Sequence, residues 1–212
     1  MLKQLGFSTM KMTNLLRHSY RIQNKRHVSF YELFPKTLAK SDSDKWNLNL
    51  NQLRKEYRVL QSRSHPDLVN HNADTSAKQD QLDSSLLNQA YNTLKNPLLR
   101  AQYLIQLETG KNLNQDSEVQ ELKKTAISPE ILMDVMLVHE QLEDATSETE
   151  VKEMREENKQ KMEKLEEKLG ECFNKTHDYH EAIKLALTLR YWTNLDQAFK
   201  EWDPNRPVTL NH

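Results

Sequence analysis

The stretch RKEYRVLQSRSHPD, residues 54–67, gathers basic side chains and then stops at His65-Pro66-Asp67. Three kinds of chemistry use residues of these types. An imidazole and a carboxylate can act as an acid–base pair. Residues i and i+2 across a proline point apart, however, and no nucleophile or pocket accompanies them. His65, Asp67 and His71 are conceivable metal ligands, but nothing indicates a fourth. The single cysteine, Cys172, can neither close an intramolecular disulfide nor build a cysteine-based zinc site. Protein binding accounts for more of the pattern. A basic helix face steers an acidic surface towards it, Pro66 fixes the backbone, and Asp67 offers a carboxylate to a partner's arginine. The plain alternative is a solvated helix followed by an ordinary turn.

The elements that would hold this stretch are helical. Only 3 Gly and 6 Pro occur in 212 residues, and 29% of residues are charged, which favours long solvated helices over turn-rich sheet. Ser29 and Glu32 have capping-box spacing, so a short helix is expected from Phe30, ended by Pro35. KTLAKSDSDKWN reads as a polar loop. Leu50, Leu53, Tyr57 and Leu60 form one apolar stripe of a helix over 49–63, with Asn49 as its N-cap. Arg54, Lys55 and Arg58 fall off that stripe. The residue before a proline is pushed towards extended geometry, so a loop is expected over 64–76. A further helix, 78–95, carries Leu82, Leu86, Ala90, Tyr91 and Leu94 on one face, and PLLRAQYLIQLETG runs helical to Gly110.

Beyond a polar linker at 111–127, Ser128, Pro129 and Glu130 mark a helix start. Ile131, Leu132, Met133, Val135, Met136, Leu137, Val138 and Leu142 follow, covering more than the one face that packing needs. Either Ile131, Val135 and Val138, or Leu132 and Met136, can be the inward stripe. Val151, Met154, Met162, Leu165 and Leu169 mark a second helix, which Gly170 caps or interrupts. A third runs from about Asp178 to Trp202. Three such helices make an antiparallel bundle.

The N-terminal 29 residues hold Lys3, Lys11, Arg17, Arg21, Lys25 and Arg26 but no Asp or Glu, so 24 of the 30 Lys and Arg face all 31 Asp and Glu in the remainder. A basic, hydroxylated, acid-free leader with scattered Leu and Phe reads as a mitochondrial transit peptide, residues 1–28. No run of about 18 apolar residues exists to span a membrane as a helix.

The arrangement resembles a J-domain, two antiparallel helices joined by a loop bearing His-Pro-Asp, with a basic second helix. FYELFP, LRKEYRVLQSRSHPD, LNQAYNTLKNPLLRAQYL, ILMDVMLVHEQLED and LRYWTNLDQAFKEW together resemble the HscB family, the J-type co-chaperones of iron–sulfur cluster biogenesis. The likeness covers residues 29–204. It implies an all-α fold: a J-domain at 29–110, the linker 111–127, a C-terminal three-helix bundle at 128–204, and a tail at 205–212. It implies an adaptor rather than an enzyme, in the mitochondrial matrix, with no cofactor and no nucleic-acid or membrane partner. A DnaK-class chaperone ATPase would engage His65, Pro66, Asp67, Arg54, Lys55 and Arg58. An IscU-type cluster scaffold would engage Ile131, Leu132, Met136 and Tyr191. Asp134 and Leu137 lie among the latter, where related members carry other polar or charged residues. Animal members add an N-terminal metal-binding cysteine cluster that this chain lacks, so no metal is expected. The rival client is another mitochondrial protein, such as an assembling respiratory complex.

Overall fold

The computed structural model describes residues 29–38, 44–64, 84–114 and 127–204, and the described residues are helical with no strand. Seven α-helices occur among them: α1 Pro35–Leu38, α2 Leu50–Ser64, α3 Ser84–Lys95, α4 Pro97–Thr109, α5 Pro129–Asp144, α6 Glu148–Glu171 and α7 Tyr179–Glu201. A π-helical turn, Cys172–Thr176, follows α6. The leader, the tail, and most of the loop and linker (65–83 and 115–126) lie outside the described residues.

Helix boundaries follow from local chemistry. Asn49 accepts the Gln52 N–H at 3.0 Å. Asn96 accepts from Leu99, Ser147 from Glu150 and Asp178 from Glu181, each satisfying an amide that the helix start leaves open. Gly110, at φ 76°, ends α4 in the left-handed region, and its N–H bonds the Gln106 carbonyl.

Two expectations are corrected here. The capping contact between Ser29 and Glu32 forms, with the Ser29 N–H donating to the Glu32 carboxylate at 3.3 Å, but it closes a turn over 30–33. Pro35 then begins α1 instead of ending a helix, since the first helical position needs no N–H. Its amides at Lys36 and Thr37 donate to Glu56 of α2 at 2.9 and 2.8 Å, and the Thr37 hydroxyl adds a third bond. The buried Glu56 carboxylate thereby holds the short helix against the basic one. The second correction concerns Gly170, which neither caps nor interrupts α6. It lies one residue inside the helix end, and a Cβ there would stand 2.8 Å from the indole of Trp46.

That indole joins the two halves of the chain. Trp46, expected in a polar loop, is buried, with the Arg100 guanidinium 4.7 Å over its ring and Phe173 tilted against it at 5.3 Å. The first apolar core accordingly runs from Tyr31, Leu53 and Leu87 through Leu104 and Ile105 to Leu169, Ala186 and Leu189. It is not confined to one side of the 111–127 segment. Polar ties reinforce the join: Asn174 donates to Asp44 at 2.8 Å, and Arg190 to Asn114 at 2.7 Å. Helix α7 is the shared wall. Its residues 185–189 are buried in unbroken succession, as in a helix surrounded by protein. A second, smaller core groups Val135, Leu142 and Val151 with Trp192, Leu195 and Phe199.

Gly170→Ala tests this join. Alanine should favour an isolated helix by about 1 kcal/mol, but its methyl group meets a ring held on both sides. We expect a net loss of about 1–2 kcal/mol, the ordinary consequence of overpacking, measured as a lowered midpoint in thermal or urea unfolding. An unchanged or raised midpoint would mean that Trp46 yields freely.

Candidate functional site

Two faces collect the residues singled out by the sequence. On α2, Leu53 is fully buried, Tyr57 stacks on Tyr91 of α3 at 4.0 Å, and the Tyr57 hydroxyl donates to Asn88 at 2.7 Å. These contacts fix the rotation of the helix. Glu56 turns inward to α1, while Arg54, Lys55 and Arg58 are all exposed. No carboxylate among the described residues pairs with any of the three. Several surface cations elsewhere are matched: Lys45 with Glu108, Arg155 with Asp196, Lys159 with Glu156 and Glu163, and Lys175 with Glu171. Burial alone would raise Asp196, but hydrogen bonds and charge from Lys200 and Arg155 hold its carboxyl below the usual range. The α2 face has no such compensation among the described residues. His65, Pro66 and Asp67, directly beyond α2, lie outside the described residues.

On α5 the structure decides between the two stripes left open by the sequence. Val135 and Leu142 are buried, and Ile131 and Val138 pack against the second core. That row is inward. The outward row is apolar too: Leu132 is 38% exposed, Met133 69%, Met136 63% and Leu137 54%. Exposed apolar side chains at spacings of one, three and four residues form a continuous strip, the kind of surface that marks a partner site. Its margin is acidic, since α5 carries Glu130, Asp134, Glu140, Glu143 and Asp144 and no Lys or Arg. Tyr191 of α7 is half-buried and, like Ile131, packs against both cores. The four residues named from sequence are therefore unlike one another: Leu132 and Met136 are open surface, whereas Ile131 and Tyr191 sit at the seam between the cores. Met133 and Leu137, left off that group, are more exposed than Leu132. Their spacing from Met136 was the available signal, and it was indistinguishable from a core stripe without knowing which row turned inward.

Behind this face, buried Asn158 of α6 donates to the main-chain carbonyl of Trp192 at 3.0 Å and to the Met162 sulfur at 3.6 Å. Lys161 covers the Trp192 ring at 4.2 Å. Both contacts fix α7 where Tyr191 emerges.

Comparison with known proteins covers both halves of the chain. The family model described as the HSCB C-terminal oligomerisation domain matches residues 127–200. The sequence is 40% identical over 193 residues to the mitochondrial J-type co-chaperone JAC1 of Saccharomyces cerevisiae, covering 91% of this chain and 98% of that one. It is 28% identical to the iron–sulfur cluster co-chaperone protein HscB of Homo sapiens, over 70% of this chain and 60% of that one. The solved structure of the Jac1 co-chaperone from Saccharomyces cerevisiae aligns with a TM-score of 0.68 at 37% identity, across 88% of this chain and 100% of that chain. The human HscB crystal structure shares the fold at a TM-score of 0.65 and 24% identity, across 84% of this chain and 83% of that one.

The difference between strip and seam can be measured without any partner. Leu132→Ala and Met136→Ala should each change stability by less than about 0.5 kcal/mol, as exposed substitutions do. Ile131→Ala and Tyr191→Ala should each cost about 1–3 kcal/mol, a part of the full core penalty. Denaturant melts of the four variants check this, and equal costs for all four would erase the distinction.

Proposed function

Because this chain belongs to the HscB family of J-type co-chaperones, we propose that it acts in mitochondrial iron–sulfur cluster biogenesis as an adaptor with two binding arms and no chemistry of its own. Residues 29–110 form the arm that recruits a DnaK-class chaperone ATPase. Arg54, Lys55 and Arg58 draw in an acidic surface of that partner, and His65, Pro66 and Asp67 stimulate its ATP hydrolysis. Residues 128–204 form the arm that holds an IscU-type cluster scaffold, with Leu132 and Met136 as anchors and Ile131 and Tyr191 as the firmer edge. Residues 111–127 link the arms, and residues 1–28 direct the chain to the mitochondrial matrix.

The observation that carries this reading is the apolar surplus of α5. Packing against α7 is already satisfied by Val135 and Leu142, yet a second apolar row faces outward. Leaving such a row in water is unfavourable unless a partner covers it. The cations of α2, exposed and unpaired among the described residues, support the other arm in the same way. Bringing both partners together lets ATP turnover on one act on the cluster carried by the other.

Pull-down from mitochondrial extract tests the pair of partners, and variants test the assignment of arms. Asp67→Ala should abolish ATPase stimulation while leaving scaffold binding intact. Leu132→Ala with Met136→Ala should do the reverse, costing scaffold affinity about 1–4 kcal/mol for each anchor, without strict additivity. Reversing Arg54, Lys55 and Arg58 to Glu should weaken chaperone recruitment, and the recruitment by the unaltered protein should fade as salt rises. Full stimulation by Asp67→Ala, or recruitment insensitive to salt and to charge reversal, would refute the first arm. Undiminished scaffold binding by the α5 variant would refute the second.

A further inference from the structure

Exposed apolar surface and charge of a single sign coincide on two helices. Of the eight large apolar side chains exposed among the described residues, four are on α5 and two, Leu50 and Val59, on α2. The charges beside them have opposite signs. Helix α5 carries Glu130, Asp134, Glu140, Glu143 and Asp144, all exposed, and no Lys or Arg. Glu143 meets the His139 imidazole at 3.4 Å, and no Lys or Arg among the described residues pairs with an α5 carboxylate. Helix α2 exposes Arg54, Lys55 and Arg58, and its one carboxylate, Glu56, is buried against α1. With Glu56 counted at full charge, three cations against one carboxylate still leave these four residues net positive.

The spacings correspond as well as the signs. Arg54, Lys55 and Arg58 are separated by one and three residues, and Asp144, Glu143 and Glu140, read backwards, are separated by one and three. Each trio therefore covers the same sector of its helix, about 100° wide and about 6 Å long. Laid antiparallel and face to face, the helices bring Arg58 to Glu140, Lys55 to Asp144 and Arg54 to Glu143. The same register sets exposed Val59 beside exposed Leu137. Within one copy the two faces do not cover each other. Leu53 on α2 and Val135 and Leu142 on α5 turn into core and hold both outward rows in the open.

We propose that the chain self-associates, with the acidic apolar strip of α5 lying antiparallel on the basic face of α2 in a second copy. The contact joins unlike faces, so it repeats reciprocally in a symmetric pair or runs on head to tail. This goes beyond the two-arm reading and does not rest on it. One contact covers both of the faces assigned there to the chaperone and to the scaffold. An associated copy is withheld from each until a partner displaces its neighbour, and the share withheld rises with protein concentration by mass action.

Sedimentation equilibrium of the full chain, with no partner present, tests this. The average mass should climb above that of a monomer at concentrations up to about 1 mM. One variant combines Arg54→Glu, Lys55→Glu and Arg58→Glu; the other combines Glu140→Lys, Glu143→Lys and Asp144→Lys. Each alone should associate at least about tenfold more weakly, equivalent to ~1.4 kcal/mol. An equimolar mixture of the two should recover association. The unaltered strip of the first meets the unaltered basic face of the second, and their reversed faces match in turn. Adding Val59→Ser and Leu137→Ser to both copies should lower that recovery, which attraction between net charges alone would not do. All eight substituted side chains are exposed, and circular dichroism verifies the fold. A monomer throughout, association undiminished by either reversal, a mixture that does not recover, or a recovery indifferent to the two serines overturns the proposal. None of these results touches the two-arm reading, which partner binding tests separately.

Discussion

The structure depends on one buried ring. Trp46 lies in the segment before α2, far in sequence from its neighbours, yet Arg100 of α4, Gly170 of α6 and Phe173 of the π-helical turn all close on it. The Arg100 side chain is buried, and desolvation pulls its pKa down, while charge from Tyr31, Glu166 and Asp44 opposes that fall. Its guanidinium also donates to the Leu94 carbonyl at 3.0 Å, tying the end of α3 to the same point. A cation over an indole contributes more when both are shielded from water. Here the contact fixes the entry to α2 against the hairpin of α6 and α7.

Because that junction is packed, the two faces proposed to bind partners belong to one body. Helix α4 from the first half lies against α7 from the second, and the larger core includes residues from both. An adaptor of two domains on a loose tether would gain only effective concentration from being linked. A shared core also fixes the direction in which each of the two faces points. The outward strip of α5 and the cations of α2 are both positioned by residues that turn the opposite way into core: Val135 and Leu142 on one helix, Leu53 and Glu56 on the other.

Much of the helix pattern was legible in the sequence. Asn49 and Gly110 stand where a side chain or conformational freedom suggests, because capping is decided within a few residues, and Ser128 holds the N-cap position of α5 without a side-chain capping bond. The failures have a common cause, which is that the deciding partner is distant. Pro35 permits either the end or the start of a helix, and Glu56, more than 20 positions away by sequence, selects the start. Trp46 sits among polar residues that conceal its burial. Gly170 looks like punctuation in α6, but its reason is a ring 124 positions earlier in the chain. On α5 both rows are apolar, so periodicity gives two answers, and only the position of α7 separates them. The basic face of α2 was identifiable as a face, but that its charges lack partners among the described residues is a property of the folded surface.

Helix α7 has a consequence for how the protein is made. It is the last helix among the described residues, and its residues 185–189 are buried among elements that precede it. A chain leaving a ribosome N-terminus first therefore delivers α4, α5 and α6 before the helix that packs against them. Until residue 189 and its successors arrive, Leu104, Ile105 and Leu169 lack a wall, and such incomplete cores invite aggregation. Completion of this core is thus deferred until residues 182–199 are made. A product broken off early would expose this core to water, which makes it recognisable to the machinery that removes unfinished proteins.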